Sequence, residues 1–257
     1  MKNMDLSRYA RQISFKPFGV EGQQRLVKSS ALIVGVGGLG SWAAELLVRA
    51  GVGHIRLADD DCVEITNIHR QSLFTEKDSS ERSLKVTAAA EHLREINSSC
   101  NIEPVFTRMD RLTAGKLVEG MDVIVDGTDN FPARFILNDC AVKNSKPWVF
   151  AGVLGSEAQM MTIIPGKTPC LRCLLGQVPS CSGQSCREVG VLGPAVAAVA
   201  AFEASEALKI LSGNIDRANP NLVVFDFWSN IIEQVNVSKL RTDCTCCVQK
   251  NFEFLEP

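Results

Sequence analysis

Residues 31–41 read Ala-Leu-Ile-Val-Gly-Val-Gly-Gly-Leu-Gly-Ser, and the fold is decided there. Ala31–Gly35 is an apolar run without polar alternation, ending in glycine, which is the pattern of a strand buried on both faces. Gly35, Gly37 and Gly40 satisfy G-x-G-x-x-G, and the Ala- and Leu-rich Ser41–Ala50 continues as a helix. A glycine loop between strand and helix turns tightly and approaches phosphate oxygens, while the helix N-terminus offers free N–H groups and positive potential. The next strand, His54–Asp59, ends on a carboxylate 19 residues after Gly40, placed to accept hydrogen bonds from ribose hydroxyls. A glycine turn that only packs helix on strand is the plainer alternative. With Asp59 in place nucleotide binding is the better reading, and the loop alone does not choose between NAD, FAD and ATP.

The same alternation extends outward. Val20–Ser29 precedes the glycine strand as a helix. Ser83–Ile96 is another, with Val86, Ala89, Leu93 and Ile96 on one face. Asn101–Phe106 and Asp122–Asp126 read as strands, and Phe131–Lys143 as the helix that follows. Strands alternating with helices predict a parallel sheet with right-handed crossovers. After about residue 147 the pattern changes. Trp148–Ala151 and Gln159–Ile164 leave little room for a helix between them, and Leu222–Phe227 and Ile231–Val237 read as an antiparallel hairpin. The helix Ala195–Leu211 lies between these strand pairs; its alanines suit close packing in the core or a dimer interface. The expectation is an α/β fold in a single domain over 1–257, with a nucleotide-binding half (1–147) and an antiparallel half (148–257) sharing one mixed sheet of eight strands, helices on both faces. Gln177–Gly190 is polar and aperiodic, a long loop of the kind that is often functional or mobile.

Composition narrows the function classes. Hydrophobic residues are 46% and charged residues 22% of the 257, an ordinary globular balance that excludes disordered and fibrous chains. Lys plus Arg number 27 against 29 for Asp plus Glu, so there is no electrostatic footprint for nucleic acid or an anionic membrane. The longest uncharged apolar stretch, Val189–Phe202, is 14 residues and too short to span a bilayer. The N-terminus lacks the apolar core of a signal peptide, and a cytoplasmic location is expected. Ten cysteines in a reducing compartment then point to metal or thiol chemistry rather than disulfides.

A nucleoside triphosphate recruits cations and a metal beyond the glycine loop. Asn67 and Arg70 follow the second strand, Lys85 opens the next helix region, and Asp129 and Asn130 follow Asp122–Asp126. Strand C-termini in an open α/β sheet face the ligand crevice, so these groups can converge there, and an acidic residue among them can hold Mg2+. Each alone has a plainer reading: an isolated Arg or Lys is usually solvated surface, and Asp129 can equally cap the following helix.

In order along the chain stand RYARQ, GVGGLGS, LADDDCVEITNIHRQ, DGTDN, CLRC and CTCC. Together these closely resemble the ThiF/MoeB adenylyltransferases, relatives of the ubiquitin-activating enzymes, from Arg8 to Cys247. The resemblance implies a Rossmann-like half continuing into antiparallel strands, usually as a homodimer. It implies adenylation by ATP and Mg2+ of the C-terminal glycine carboxylate of a ubiquitin-like sulfur carrier ending in Gly-Gly. By the same resemblance Gly38 and Asp59 contact the nucleotide, and Asn67, Arg70 and Lys85 match phosphate-binding positions. Asp129 matches the metal-associated aspartate, with Asn130 beside it. Arg11 matches an arginine supplied across the dimer interface. A carboxylate is already a nucleophile, so the chemistry needs fixed cations and a metal rather than a general base.

Cys170-Leu-Arg-Cys173 and Cys244-Thr-Cys-Cys247 are two C-x-x-C pairs with 70 residues between them. Four thiolates suit tetrahedral Zn2+, and the family carries zinc at these positions; a redox pair is the alternative for either half alone. Cys246 adjoins Cys247 and leaves the fourth ligand open between them. Cys186, beside Arg187 in the polar loop, sits where a cation favours thiolate, and in ThiF-like members a cysteine here takes part in sulfur transfer. Cys181 is either its redox partner or incidental. Cys62, Cys100 and Cys140 read as small packing residues. None of the three histidines reads as catalytic. With the sequence ending at Pro257, a separate protein is expected to donate any sulfur. Two other classes stay open. An NAD-dependent oxidoreductase explains the glycine loop and Asp59 but leaves Arg11, Arg70, Lys85 and Asp129 unused. A non-catalytic binding module leaves the whole cationic set without purpose. Adenylation of a different small protein or peptide is a further alternative.

Overall fold

The computed structural model describes residues 6–179, 189–239 and 243–256. The chain enters through α1 (Ala10–Ile13) and α2 (Gly19–Leu26), then alternates β1 (Ser30–Val34), α3 (Gly38–Ala50) and β2 (His54–Asp59). Next come α4 (Glu76–Ser80), α5 (Lys85–Ile96), β3 (Asn101–Phe106), α6 (Ala114–Val118), β4 (Val123–Asp126), α7 (Phe131–Lys143) and β5 (Trp148–Leu154). The remainder is β6 (Glu157–Ile163), α8 (Leu171–Leu175), α9 (Gly193–Leu211), β7 (Leu222–Asp226) and β8 (Ile231–Val235).

All eight strands form one sheet in the order β3-β2-β1-β4-β5-β6-β7-β8. Pairings from β3 to β5 are parallel, and those from β5 to β8 antiparallel. The mixed sheet expected from the change of pattern near residue 147 is therefore present. The unbroken apolar run of β1 has a direct cause: all five of its residues are buried. Ala31 and Ile33 pack into the layer that holds α3, α5 and α9, while Leu32 and Val34 face the opposite layer with α6, α7 and α8. Small residues of α9 let it lie close against α3, and Ala195, Ala200, Ala204 and Ala207 are buried there.

The differences from the sequence reading are local. α3 begins at Gly38, three residues early, because the end of the glycine loop is already helical. β5 runs on through Gly152 to Leu154, since the Arg134 guanidinium fills the space a side chain at 152 would need. The short helices α1, α4, α6 and α8 span four or five residues each, too few to show a period. In α4, Thr75 and Asp78 form a reciprocal capping box at the helix start. Among the described residues no helix is long and apolar enough to cross a membrane.

Candidate active site

In the sheet β1 lies between β2 and β4, and the chain reverses direction of build from one side of β1 to the other. Such a switch point opens a crevice at the strand C-termini. Three loops meet there: the glycine loop after β1, Asp59–Asp61 after β2, and 126–130 after β4. Gly35 has φ +83°, and a Cβ on Gly40 would lie 1.9 Å from the Gly35 carbonyl oxygen, so the loop closes only with glycine at both positions. The N-cap of α3 is Gly37 and carries no side-chain cap, which leaves the first N–H groups of the helix open to an anion.

Asp59 is buried and clamped to this loop. Its carboxylate accepts from Val36 N at 2.6 Å and Asp61 N at 2.8 Å. Two acceptor positions of the carboxylate remain for a ligand. Burial pushes the Asp59 pKa above its ordinary value, against the pull of Lys85 and the two backbone donors. Lys85 is itself buried, and its ammonium donates to Asp61 at 2.7 Å. Asp61 is largely exposed, so Lys85 is held at the rim of the crevice by a solvated partner.

Arg70 lies beside the glycine loop: a Cβ on Gly38 would come within 3.8 Å of its side chain. Its guanidinium donates to Thr66 O at 2.9 Å and Asn67 Oδ1 at 3.0 Å, and meets His69 Nε2 at 2.9 Å. Trp42 Nε1 fixes the backbone by donating to Arg70 O at 3.1 Å. Asn67 thus holds Arg70 in place. The adjacent Gln71 is buried against Gly37 with its Oε1 unpartnered.

Asp129 is exposed on the third loop and receives only Asn130 Nδ2, at 3.2 Å. The helix cap is Asn130, not Asp129: Asn130 Oδ1 accepts from Ala133 N at 2.9 Å. The alternative role of Asp129 as a cap is thereby removed. Arg11 is not brought to this crevice within one chain. Gln12, its neighbour, donates to Ala50 O at 2.9 Å, and the Tyr9 ring covers Gly51, so α1 sits at the C-terminal end of α3. The glycine loop is at the other end of that helix, roughly 20 Å away at 1.5 Å per residue. Arg11 is exposed and has no ion-pair partner among the described residues. Cys181 and Cys186 lie outside the described residues. Val189–Leu192 follow them and are tied to the β5–β6 turn through Gly155 N to Gly190 O at 3.1 Å and Leu192 N to Gly155 O at 2.8 Å.

On the opposite layer the Sγ atoms of Cys170, Cys173, Cys244 and Cys247 all lie within 4.8 Å of one another. Cys173 and Cys247 approach to 3.3 Å, and Cys170 lies 3.7 Å from Cys244. Four thiols gathered from two distant segments, with no other ligand type, fit a closed tetrahedral thiolate site. Cys246 lies beside the cluster, hydrogen-bonded to Cys170 and Asp139, and receives Asn138 Nδ2 at 3.3 Å. Burial raises the Cys100 thiol to about 12 and the Cys140 thiol to about 11, which makes both inert packing residues.

The sequence pattern of the ThiF family matches residues 9–246. The chain belongs to the ThiF family. The "Sulfur carrier protein ThiS adenylyltransferase" of Bacillus subtilis (strain 168) is 41% identical over 249 residues, 96% of this chain and 73% of that protein. The "Adenylyltransferase and sulfurtransferase MOCS3" of Culex quinquefasciatus is 36% identical over 96% of this chain, which spans only 56% of that longer relative. Among solved structures, E. coli MccB with ATP superposes with a TM-score of 0.81 at 24% identity, over 93% of this chain and 74% of that one. That likeness shows the shared fold, the mixed sheet described above.

Within this ThiF-family chain several functional neighbours were not readable beforehand. Asp61 anchors Lys85, yet LADDD contains three acids with nothing to single it out. Arg134, Arg172 and Glu203 are buried charged-type residues that sequence alone assigns to the surface.

Proposed function

We propose that this ThiF-family adenylyltransferase activates the C-terminal glycine carboxylate of a ubiquitin-like sulfur carrier ending in Gly-Gly. The carrier carboxylate attacks the α-phosphorus of ATP, an acyl–phosphate bond forms, the bond to the β-phosphate oxygen breaks, and pyrophosphate leaves. One observation carries the reading: buried Lys85 and the tethered Arg70 stand at the glycine-loop crevice alongside Asp59, more cation than a dinucleotide requires. The ThiS-directed relative supports a sulfur carrier as the substrate.

In this reading the α3 N-terminus and Gly35, Gly37, Gly38 and Gly40 receive phosphate oxygens, and Asp59 accepts the ribose hydroxyls. Asn67 orients Arg70, and Arg70 and Lys85 neutralise charge on departing pyrophosphate. Asp129, with Asn130 beside it, would hold Mg2+, which would supply positive charge to offset that of the phosphates. Arg11, too far from the crevice of its own chain, completes the site of the partner in a homodimer. Zn2+ on Cys170, Cys173, Cys244 and Cys247 is structural, since four thiolates leave no position for water. Cys186 is assigned to sulfur transfer after adenylation, with a separate donor protein, in thiamine thiazole or molybdenum cofactor synthesis. The protein works in the cytoplasm.

ATP–pyrophosphate exchange tests the proposal, run with carriers of the thiazole and molybdopterin routes. Carrier-dependent exchange is expected, and the carrier that works names the pathway. ATP binding without exchange for any carrier would redirect the search to another peptide substrate. Binding of NAD but not ATP would overturn the assignment.

A further inference from the structure

We propose that Arg134 is a positioning residue that sets Asp129 toward the metal–nucleotide, acting through the carbonyl of Thr128; the proposal rests on the adenylation reading above. Arg134 lies in the first turn of α7 and is buried. Its guanidinium is flanked by the rings of Phe131 and Phe150, each centroid 5.3 Å away. Nε donates to Asp126 Oδ2 at 3.1 Å, and Nη2 donates to Thr128 O at 2.8 Å and Ala151 O at 2.9 Å. The other oxygen of Asp126 accepts from Thr128 N at 2.9 Å and Thr128 Oγ1 at 2.6 Å. Thr128 is therefore gripped at its amide, hydroxyl and carbonyl by one buried ion pair, and the next residue is Asp129.

Gly127 has anchors of its own. Gly127 N donates to Val34 O at 2.7 Å, and Gly127 sits against Gly35 of the nucleotide loop. Neither contact involves Arg134. Asp126 and Thr128 are the loop residues that the guanidinium bonds, and Thr128 is the one joined to Asp129. Among the described residues the Asn130 amide is the hydrogen-bond partner of the Asp129 carboxylate. Loss of the fork therefore disturbs the metal-associated carboxylate while leaving the glycine loop and Asp59 as they are.

Glu203 on α9 faces the Asp126–Arg134 pair, is fully buried, and has no hydrogen-bond partner for either carboxyl oxygen among the described residues. Burial, with Asp126 nearby, pushes the Glu203 pKa up, and it is Asp126 rather than Glu203 that accepts from Arg134. A lysine at 134 keeps the charge but presents a point ammonium without the planar fork that reaches Asp126, Thr128 and Ala151 together.

The test compares the parent protein, Arg134→Lys and Thr128→Val. Carrier-dependent ATP–pyrophosphate exchange is titrated with Mg2+, AMP affinity is measured by calorimetry without metal, and circular dichroism and zinc content report folding. Arg134→Lys is expected to raise the half-saturating Mg2+ concentration by about 10- to 100-fold, as loss of a residue that orients a metal ligand does. AMP affinity is expected to be unchanged. Thr128→Val, which removes only the hydroxyl contact, is expected to move the Mg2+ requirement the same way by less, and it decides the matter if Arg134→Lys does not fold. An unchanged Mg2+ requirement in a folded variant, or an equal loss of AMP and Mg2+ affinity, would overturn the proposal. Absence of exchange in the parent would instead overturn the adenylation reading, and this proposal with it.

Discussion

Arg172 lies inside the first C-x-x-C pair and is 4% exposed. Its Nη1 donates to Asp139 Oδ1 at 3.3 Å, to Asp139 Oδ2 at 3.1 Å and to Asn251 O at 3.1 Å. Its Nη2 donates to Thr245 Oγ1 at 2.5 Å and Glu253 Oε1 at 2.6 Å, and the guanidinium lies 5.2 Å from the Phe254 centroid. Asp139 has no exposed surface. Arg172→Met keeps the bulk but leaves the Asp139 carboxyl buried without its cation, and breaking a buried pair from one side costs about 3–5 kcal/mol. For a chain of this size each kcal/mol moves the melting temperature by about 2–4 °C, so a fall of roughly 6–20 °C is expected. The assay is a zinc-replete thermal melt by circular dichroism, repeated at two scan rates. Arg172→Met with Asp139→Asn should recover part of the loss, because an amide needs no counter-charge. A fall of less than about 3 °C in the single variant would refute the reasoning. So would a double variant no more stable than the single one, since it would place the cost in the lost Thr245, Asn251 and Glu253 contacts instead.

Lys85→Ala and Arg70→Ala should each slow pyrophosphate exchange by about 10²–10³-fold with the melting temperature little changed, because a fixed charge at the reacting phosphates is lost while neighbouring Asp61 and Asn67 stay solvated or half-buried; near-normal exchange in either would remove that residue from the site. Glu203→Gln should become progressively more stable relative to the parent as pH rises above the ordinary carboxyl value of 4.5, since a raised folded pKa means the native state holds a proton the unfolded chain has released. That difference should level off once pH passes the folded pKa, and equal melting temperatures from pH 5 to 9 would show that Glu203 is not held protonated. One zinc per chain is expected by mass spectrometry, with Cys173→Ser abolishing it and lowering the melting temperature; a stable, metal-free parent would contradict the four-thiolate assignment.

The sheet was legible because its signals are local. Ala31–Gly35 announces a strand buried on both faces, and the shift from long crossovers to close strand pairs after residue 147 announces the turn to antiparallel pairing. The glycine loop, Asp59, Arg70 and Lys85 were visible for the same reason: each lies at a strand end or helix start that the pattern fixes. What sequence withheld was burial of charge. Arg134, Arg172 and Glu203 sit in helices whose other residues look equally able to cover them, and only the packed layers decide which side chain is enclosed. The surroundings of Cys246 and Cys247 were hidden for a similar reason. The short turn around Cys244–Val248 brings Cys247 against Cys173 and Cys246 against both Cys170 and Asn138.

The thiol cluster also has a consequence for the order of events during synthesis. Cys170 and Cys173 leave the ribosome 74 and 71 residues before Cys244 does. Until then the chain carries the segments of β1 to β6 and the glycine loop, but only half of the four-sulfur cluster, and Arg172 lacks its partners Thr245 and Glu253. A two-thiol fragment holds metal weakly, so tight capture waits for the last strands to emerge. Under the four-thiolate assignment proposed above, metal content would report more than stability: it would mark a chain whose C-terminal segment has docked back on the rest.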